Sequence, residues 1–400
     1  MSASARAALH DVLVLGAGSV GLATALMLAR QGLDVRVIDR RPPQPWLPPP
    51  GFDTRVYALN PAVRRRLQAL GVWDALDAQR IGVIAAMEVH GDAGGRLHFG
   101  DGRQPLAHVV EGGALQTALV AALDARGGRG WWRAGEPAGV RIDAQAAWLD
   151  CAAAGTPGAR LLVGADGARS WLRQALGWPE QVRDYQRQGV VANFRCARPH
   201  GKVARQWFCA GEVIALLPLG GNHVSLVWSA HDALAGTLVA GAPGDCARAL
   251  AGRIGEPLGA LEEISAPQAF PLRLVRVPRI SDARVALVGD AAHGVHPLAG
   301  QGLNLGLADA ACLADVLAAR GDGPDPGDAA LLRRYARQRA EPTFAMQSVT
   351  DGLHRLFDAP GPLARLLRNR GLDLVDRISL LKTLLAAGAA GQDPDLSSNA

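Results

Sequence analysis

The chain has 400 residues and a net charge of +5; 49% of it is hydrophobic and 20% charged. That length exceeds one ordinary core and suggests about two or three domains, and the composition excludes a disordered or fibrous protein. The five cysteines, Cys151, Cys196, Cys209, Cys246 and Cys312, are odd in number and scattered, with no C-x-x-C pair. This argues against a disulfide framework or zinc knuckle and fits a reducing cytosol. Residues 331–385 hold ten Arg/Lys and five Asp/Glu, so the whole charge surplus can be assigned to that stretch. Such a tail either meets anionic lipid or a protein, or is a solvated helix face; no nucleic-acid partner is expected.

In chain order, Asp11–Leu15 reads as a buried strand, Ser19–Gln31 as a helix stopped at Gly32, and Val35–Ile38 as a second strand, which makes a βαβ opening. The eighteen uncharged residues from Val12 to Ala29 are long enough for a membrane span or secretory leader. Asp11 before the run and glycines at 16, 18 and 21 divide it into strand, turn and helix instead. PPQPWLPPP at 42–50 is a surface loop. Pro61–Leu70 is helical, 83–99 a hairpin around GDAGG, and Ala114–Arg126 helical. Strand-like pieces lie near 138–150 and 160–163, and a helix runs from about 168 to 176. Residues 182–275 read as short strands of an antiparallel sheet, with a turn at Gly220–Asn222. RVALV at 284–288 is again a buried strand, followed by a helix over about 300–319 and a loop at 321–328. The remainder to about 388 reads as helical.

Three glycine-bearing strings carry chemistry. Gly16-x-Gly18-x-x-Gly21 follows a strand and opens a helix, and Asp39 ends the next strand 23 residues after Gly16. That context suits the ADP half of a dinucleotide: a tight turn, close approach of pyrophosphate to backbone, free helix N–H groups, and an acid for a ribose diol. GADGARS at 164–170 places Asp166 and Gly167 on a strand-to-helix turn, a pattern that a purely structural turn explains equally. GDAAHGVHPLAGQGLNLGLADA at 289–310 ends a strand at Gly289-Asp290 and leads through Gly300, Gly302 and Gly306 into a helix N-terminus suited to negative charge. His293 and His296 share a metal-like spacing, but Pro297, the glycines and the lack of a third ligand argue against a metal. One complete glycine motif near one end and a second nucleotide-type signal near the other suggest a single long cofactor, FAD, rather than NAD alone.

Together, GAGSVG, GADGARSWLR and GDAAHGVHPLAGQGLNLG resemble the single-component FAD-dependent aromatic hydroxylases, and most closely the ubiquinone-biosynthesis hydroxylases. FDTRVYALNPAVRRRLQALGVW, ARQWFCAGEVIALLPL and the C-terminal LLRRYARQRA and LLKTLL segments extend the likeness over nearly the whole chain. The resemblance implies an α/β (α+β overall) fold with a Rossmann-like FAD-binding domain, an inserted antiparallel-sheet substrate domain and a helical C-terminal region. The FAD-binding domain would be built from 1–75, 100–180 and 276–340, the substrate domain from 76–99 and 181–275, and the helical region from 341–390, with a tail at 391–400.

By the same resemblance Gly16, Gly18, Gly21 and Asp39 hold the ADP part, Arg55 and Gln116 contact the cofactor, and Asp166 and Gly167 serve FAD and the visiting nicotinamide nucleotide. Gly289 and Asp290 bind ribitol or pyrophosphate, and Pro297, Gly300, Gly302, Leu303 and Asn304 surround the isoalloxazine. His296 is the candidate general base. Trp207, Phe208, Leu216, Leu219 and Trp228 are candidates for an apolar substrate wall, or equally sheet core. The implied reaction uses NADH or NADPH and O2 to hydroxylate a prenylated phenol. Implied partners are peripheral membrane, through the basic C-terminal helices, and other ubiquinone-biosynthesis proteins. The alternatives are a hydroxylase of a small aromatic acid and a non-catalytic flavin-binding assembly protein. Gly113 departs from the family pattern, since relatives often carry Arg there.

Overall fold

The computed structural model describes residues 9–44, 46–100, 102, 104–209, 211–294, 302–321 and 325–358. The chain opens with β1 (Leu9–Leu15), α1 (Ser19–Ala29) and β2 (Val35–Asp39), then β3 (Val56–Leu59) and α2 (Pro61–Ala69). Asn60 caps α2 by accepting the Val63 N–H at 2.9 Å, and Pro61 takes the first helical position, where a missing N–H does no harm. Next come β4 (Gly82–Ile84), β5 (Ala86–His90), β6 (Arg96–Phe99), β7 (Ala107–Glu111) and α3 (Gly112–Asp124). Then follow β8 (Trp132–Ala134), β9 (Pro137–Ile142), β10 (Ala147–Cys151), β11 (Gly158–Gly164) and α4 (Trp171–Ala175). The central stretch holds β12 (Gln181–Cys196), β13 (Val203–Cys209), β14 (Glu212–Pro218), β15 (His223–His231), α5 (Asp232–Ala240), α6 (Asp245–Ile254), β16 (Leu261–Glu263) and β17 (Gln268–Arg276). The chain returns through β18 (Ser281–Asp282), β19 (Val285–Leu287) and β20 (His293–Gly294) to α7 (Gly302–Ala318) and α8 (Ala329–Asp358).

In the first sheet β19, β11, β1, β2 and β8 are parallel neighbours in that order, with β18 antiparallel at one edge and β9 and β10 extending from β11. Alternation along β1 assigns its two faces. Val12 and Val14 pack with α1, α3 and α7, while Leu13 and Leu15 pack with Leu149, Leu172 and Trp178. Residues Gly21 to Leu28 of α1 are all buried, which explains an apolar run that by length alone matches a membrane span. Among the described residues no helix is long and apolar enough to cross a membrane.

The second sheet runs β20-β17-β12-β15-β14-β13-β5-β6, antiparallel except where β13 meets β5. A small third sheet orders β3-β7-β4. Two elements differ from expectation. Residues 232–254 form α5 and α6 rather than strands, and their apolar faces cover one side of the second sheet. Both helices are short, and the GAPGD break between them carries a glycine at φ +89°, so local sequence reads as strands and turns. β12 is one strand of 16 residues, kinked by a bulge between Asp184 and Gln188. The helical expectation beyond residue 358 and the tail at 391–400 lie outside the described residues.

Candidate functional site

The β1–α1 turn is built for close approach. Gly16 has φ +112°, and a Cβ there would overlap the Ala165 carbonyl, so the turn presses directly on the GADGARS turn. A Cβ on Gly21 would overlap the Gly16 carbonyl, whereas one on Gly18 would meet nothing. The backbone at Gly18 is therefore open to an approaching group, and α1 begins with no side-chain cap and no acid in its first turn. Asp39 at the end of β2 accepts the Ala17 N–H at 2.7 Å, and Gln116 of α3 donates to the Ala17 carbonyl at 2.8 Å. Across the turn, Asp166 accepts the Leu172 N–H through Oδ2, while its buried Oδ1 has no partner. Gly167 is left-handed, at φ +85°.

The second cluster lies at β3. Arg55 is exposed, and its backbone is fixed by the Asp53 carboxylate and by the Gly112 N–H donating to its carbonyl at 2.8 Å. Asp53 also accepts the Gly113 N–H at 3.1 Å. Glu111, 2% exposed, accepts the Asp53 N–H at 2.6 Å and Arg80 at 2.7 Å. Above them the Trp46 indole occupies the volume a side chain at 113 would need. The departure at Gly113 is thus matched by a tryptophan from the proline-rich loop. Tyr57 of β3 follows Arg55 by two residues, both side chains lie against Gly112, and the phenol feels the charges of Arg55 and Asp290. Burial pushes the Tyr57 hydroxyl pKa up, Arg55 opposes this, and Asp290 and Asp53 add to it. Asp290 is itself raised, first by desolvation and then by Asp309, against the pull of His293 and Arg55. The i, i+2 spacing of Arg55 and Tyr57 on a strand was the available signal for Tyr57.

Beneath Asp290 runs a buried network. Asp309 of α7, 0% exposed, accepts the Gly289 N–H at 2.9 Å, His293 Nε2 at 2.6 Å and Arg339 Nε of α8 at 2.6 Å. Burial alone would raise this carboxyl, but His293, Arg339 and the Gly289 N–H hold it below the usual carboxylate range. Arg173, also buried, donates to the Ala291 carbonyl at 2.8 Å, to the Ala168 carbonyl at 2.9 Å, and to Glu180. Both arginines lie inside the recognisable strings, yet nothing in the sequence pairs them with residues thirty or more than a hundred positions away. Gly302 and Leu303 begin α7, and Asn304 ties that start to β3: its Oδ1 accepts the Asn60 N–H at 3.0 Å and its Nδ2 donates to the Ala58 carbonyl at 2.7 Å. His296, Pro297 and Gly300 lie outside the described residues.

The second sheet meets this region through Asn193, whose Nδ2 donates to the carbonyls of Phe52 and Asp53, each at 3.0 Å. Odd-numbered positions of β12, β14 and β15 share that face, including Val191, Ala215, Leu217 and Val227, all only partly buried. Ser225 and Ser229 lie on it as well, with buried hydroxyls that lack partners. This moves Leu216, Trp228 and Trp207 off the candidate wall, while Phe208, opposite Val213, and Leu219, packed with Leu217, keep its parity. Leu216 and Trp228 are buried under α5 and α6 on the opposite face, and Trp207 packs against the same cluster and stacks on His90. Phe208 joins Val89, Leu97 and Val213 in a separate cluster, and Leu219 packs with Phe52 and Ile84. Size and apolarity selected those five residues, but strand parity decides which face each one takes.

Residues 10–350 match the family model described as FAD binding domain. The chain belongs to the FAD-binding-domain family. It is 35% identical to the ubiquinone hydroxylase UbiL of Rhodospirillum rubrum, over 95% of this chain and 89% of that protein. It is 33% identical to the 3-demethoxyubiquinol 3-hydroxylase of Escherichia coli, over 93% and 96%. PqsL, a probable FAD-dependent monooxygenase from Pseudomonas aeruginosa, has a crystal structure that superposes with a TM-score of 0.75 at 25% identity, covering 91% of this chain and 99% of that one. The site fits the family's cofactor: an open Gly18 backbone and an uncapped helix start adjoin the turn that carries the unpartnered Asp166 Oδ1.

Proposed function

We propose that this FAD-binding-domain protein is a monooxygenase that hydroxylates the aromatic ring of a prenylated phenol in ubiquinone biosynthesis, with NAD(P)H and O2 as co-substrates. The observation that carries the proposal is the packing of the glycine turn on the Asp166 turn and of Gly289 on Val20 of α1, with Arg55 and Asp290 grouped about Tyr57 and a partly buried sheet face joined to them through Asn193. FAD supplies the redox chemistry when bound, taking a hydride from NAD(P)H and activating O2.

The chain's own residues bind and orient. Gly16, Gly18, Gly21 and the α1 N–H groups take the pyrophosphate, Asp39 the adenosine ribose, and Arg55, Gln116 and Asp290 the pyrophosphate and ribitol. Asp166 and Gly167 serve the cofactor from the opposite turn. The Tyr57 phenol stands close enough to Arg55 and Asp290 to feel both charges. Val191, Ala215, Leu217 and Val227 exclude water above the ring, and Ser225 and Ser229 offer hydroxyls to a phenol. Val191, Ala215, Leu217 and Val227 make the middle of this face apolar, which favours a lipid-like phenol, while the buried Arg187 lies at the same strand parity toward one end. Peripheral contact with the inner membrane, and with other enzymes of the same biosynthesis, would bring that substrate to the protein.

The test is NAD(P)H oxidation by the purified, FAD-loaded protein. We expect short-chain prenylated phenols to stimulate it, with hydroxylated product formed. Saturation by simple benzoates would favour the small-acid enzyme. Tight FAD binding with no stimulation by any phenol would favour the assembly role.

A further inference from the structure

α8 stands off β17 and the segment that follows it, pinned to them at two places. Near its start the Ser281 hydroxyl donates to the Leu332 carbonyl at 2.9 Å, and further on Gln347 Nε2 donates to the Val275 carbonyl at 2.9 Å. Between the pins lies a cleft of about 810 Å³. One face of α8 lines it at helical spacing, with Ala336 and Ala340 too small to fill the space.

The lining is one-sided in charge. It includes five arginines, Arg276, Arg279, Arg333, Arg337 and Arg339, and no Asp or Glu. Arg339 is committed to Asp309, and Arg279 pairs with Asp282. Among the described residues no carboxylate pairs with Arg276, Arg333 or Arg337. Two buried polar atoms of the lining, Arg276 Nε and Thr343 Oγ1, have no hydrogen-bond partner. Buried polar groups ordinarily find one, so these two point to a ligand. Its apolar lining includes Val277, Ile280 and Phe344, the last 63% exposed at the rim.

We propose that this cleft binds the headgroup of an anionic phospholipid, with phosphate on Arg276, Arg333 and Arg337 and the first acyl carbons against Val277, Ile280 and Phe344. A free phosphate would use the arginines but leave the apolar lining unused, which is why a lipid is the occupant. The site deepens the peripheral-membrane reading and is independent of hydroxylation. Because Arg339 and His293 form its floor and also hold Asp309, a lipid there sits one residue layer from the Gly289–Asp290 turn.

The test is flotation of the full-length, FAD-loaded protein with vesicles of phosphatidylcholine alone or mixed with phosphatidylglycerol, so that no turnover is needed. We expect co-flotation only with phosphatidylglycerol present. Arg333→Ala/Arg337→Ala should weaken it by roughly 25-fold, at about a factor of five per arginine. Ala336→Trp, which fills the cleft without changing charge, should weaken it comparably, with Ala340→Phe as a second filling variant should the first not fold. Arg195→Ala/Arg198→Ala, on the distant sheet, should change it little. Loss with either arginine pair but with neither filling variant would mean diffuse surface charge and overturn the site. Full competition by inorganic phosphate would overturn the lipid as occupant. Binding that emerges only after deletion of residues 359–400 would overturn it in favour of the chain's own tail. Loss of vesicle binding with intact phenol-stimulated NAD(P)H oxidation leaves the hydroxylase reading standing, so the two fail separately.

Discussion

At the scale of single residues, the glycine turn separates folding from binding. A Cβ at Gly18 meets nothing, whereas one at Gly16 overlaps a carbonyl and must also adopt φ +112°. Gly18→Ala should therefore keep wild-type stability to within about 0.5 kcal/mol and bind FAD at least roughly tenfold more weakly, since the methyl group obstructs the pyrophosphate. Gly16→Ala should instead destabilise the fold by about 1–3 kcal/mol. Urea melts and FAD titrations read both, and Gly18→Ala with unaltered FAD affinity would refute the placement. Gly113 gives a second test. Gly113→Ala should displace the Trp46 indole and loosen the 42–50 loop, and Trp46→Ala should suppress that effect, giving a coupling of about 0.5–3 kcal/mol in a double-mutant cycle. Additive stabilities would disprove the contact. Residues inside the glycine strings were legible because their spacing encodes backbone geometry. Trp46, Arg80 and Arg339 were not, because their partners are set by tertiary approach and leave no local period.

At the scale of elements, β7 carries a titrating group within the small sheet. His108 is 7% exposed, packs edge-on against Trp73 at 5.3 Å, and has a buried Nδ1 without partner. Burial first, and then Arg64, lowers its pKa to about 4 from 6.5. The unfolded chain thus binds a proton that the folded chain refuses between those two values, so this contribution to stability is present above pH 6.5 and is lost as pH falls toward 4. Going from pH 7 to pH 5 should remove about 2 kcal/mol from this residue. His108→Gln should flatten that part of the pH profile in urea melts; an identical slope in the variant would rule His108 out as its source. Elements themselves were mostly readable where burial imposes a strong pattern, as in β1, β11 and β19. α5 and α6 were hidden because nine- and ten-residue helices between glycines show too few turns for a 3.6-residue period to stand clear of strand alternation.

At the scale of the whole molecule, the second sheet is tied to the segment that carries Arg55. Asn193 is the structural link. It is 0% exposed, and its amide nitrogen serves the Phe52 and Asp53 carbonyls, while Asp53 in turn fixes the Arg55 and Gly113 N–H groups. Thr54 adds a hydrogen bond to Gln268 of β17 at 3.2 Å. The segment carrying Arg55 is therefore clamped between β12 and the start of α3, and its position depends on both. Asn193→Leu leaves two carbonyls without their donor and should cost about 2–4 kcal/mol of stability. It should also weaken FAD binding several-fold through displacement of Arg55, although residue 193 lies outside the proposed cofactor contacts. Asn193→Asp should be worse, because it sets a carboxylate against the same two carbonyls. Ser225→Ala on the neighbouring strand removes a hydroxyl that has no partner, so it should leave both stability and FAD affinity nearly unchanged. If Asn193→Leu lowers stability yet binds FAD like the wild type, the sheet and the flavin crevice fold together without being coupled in function.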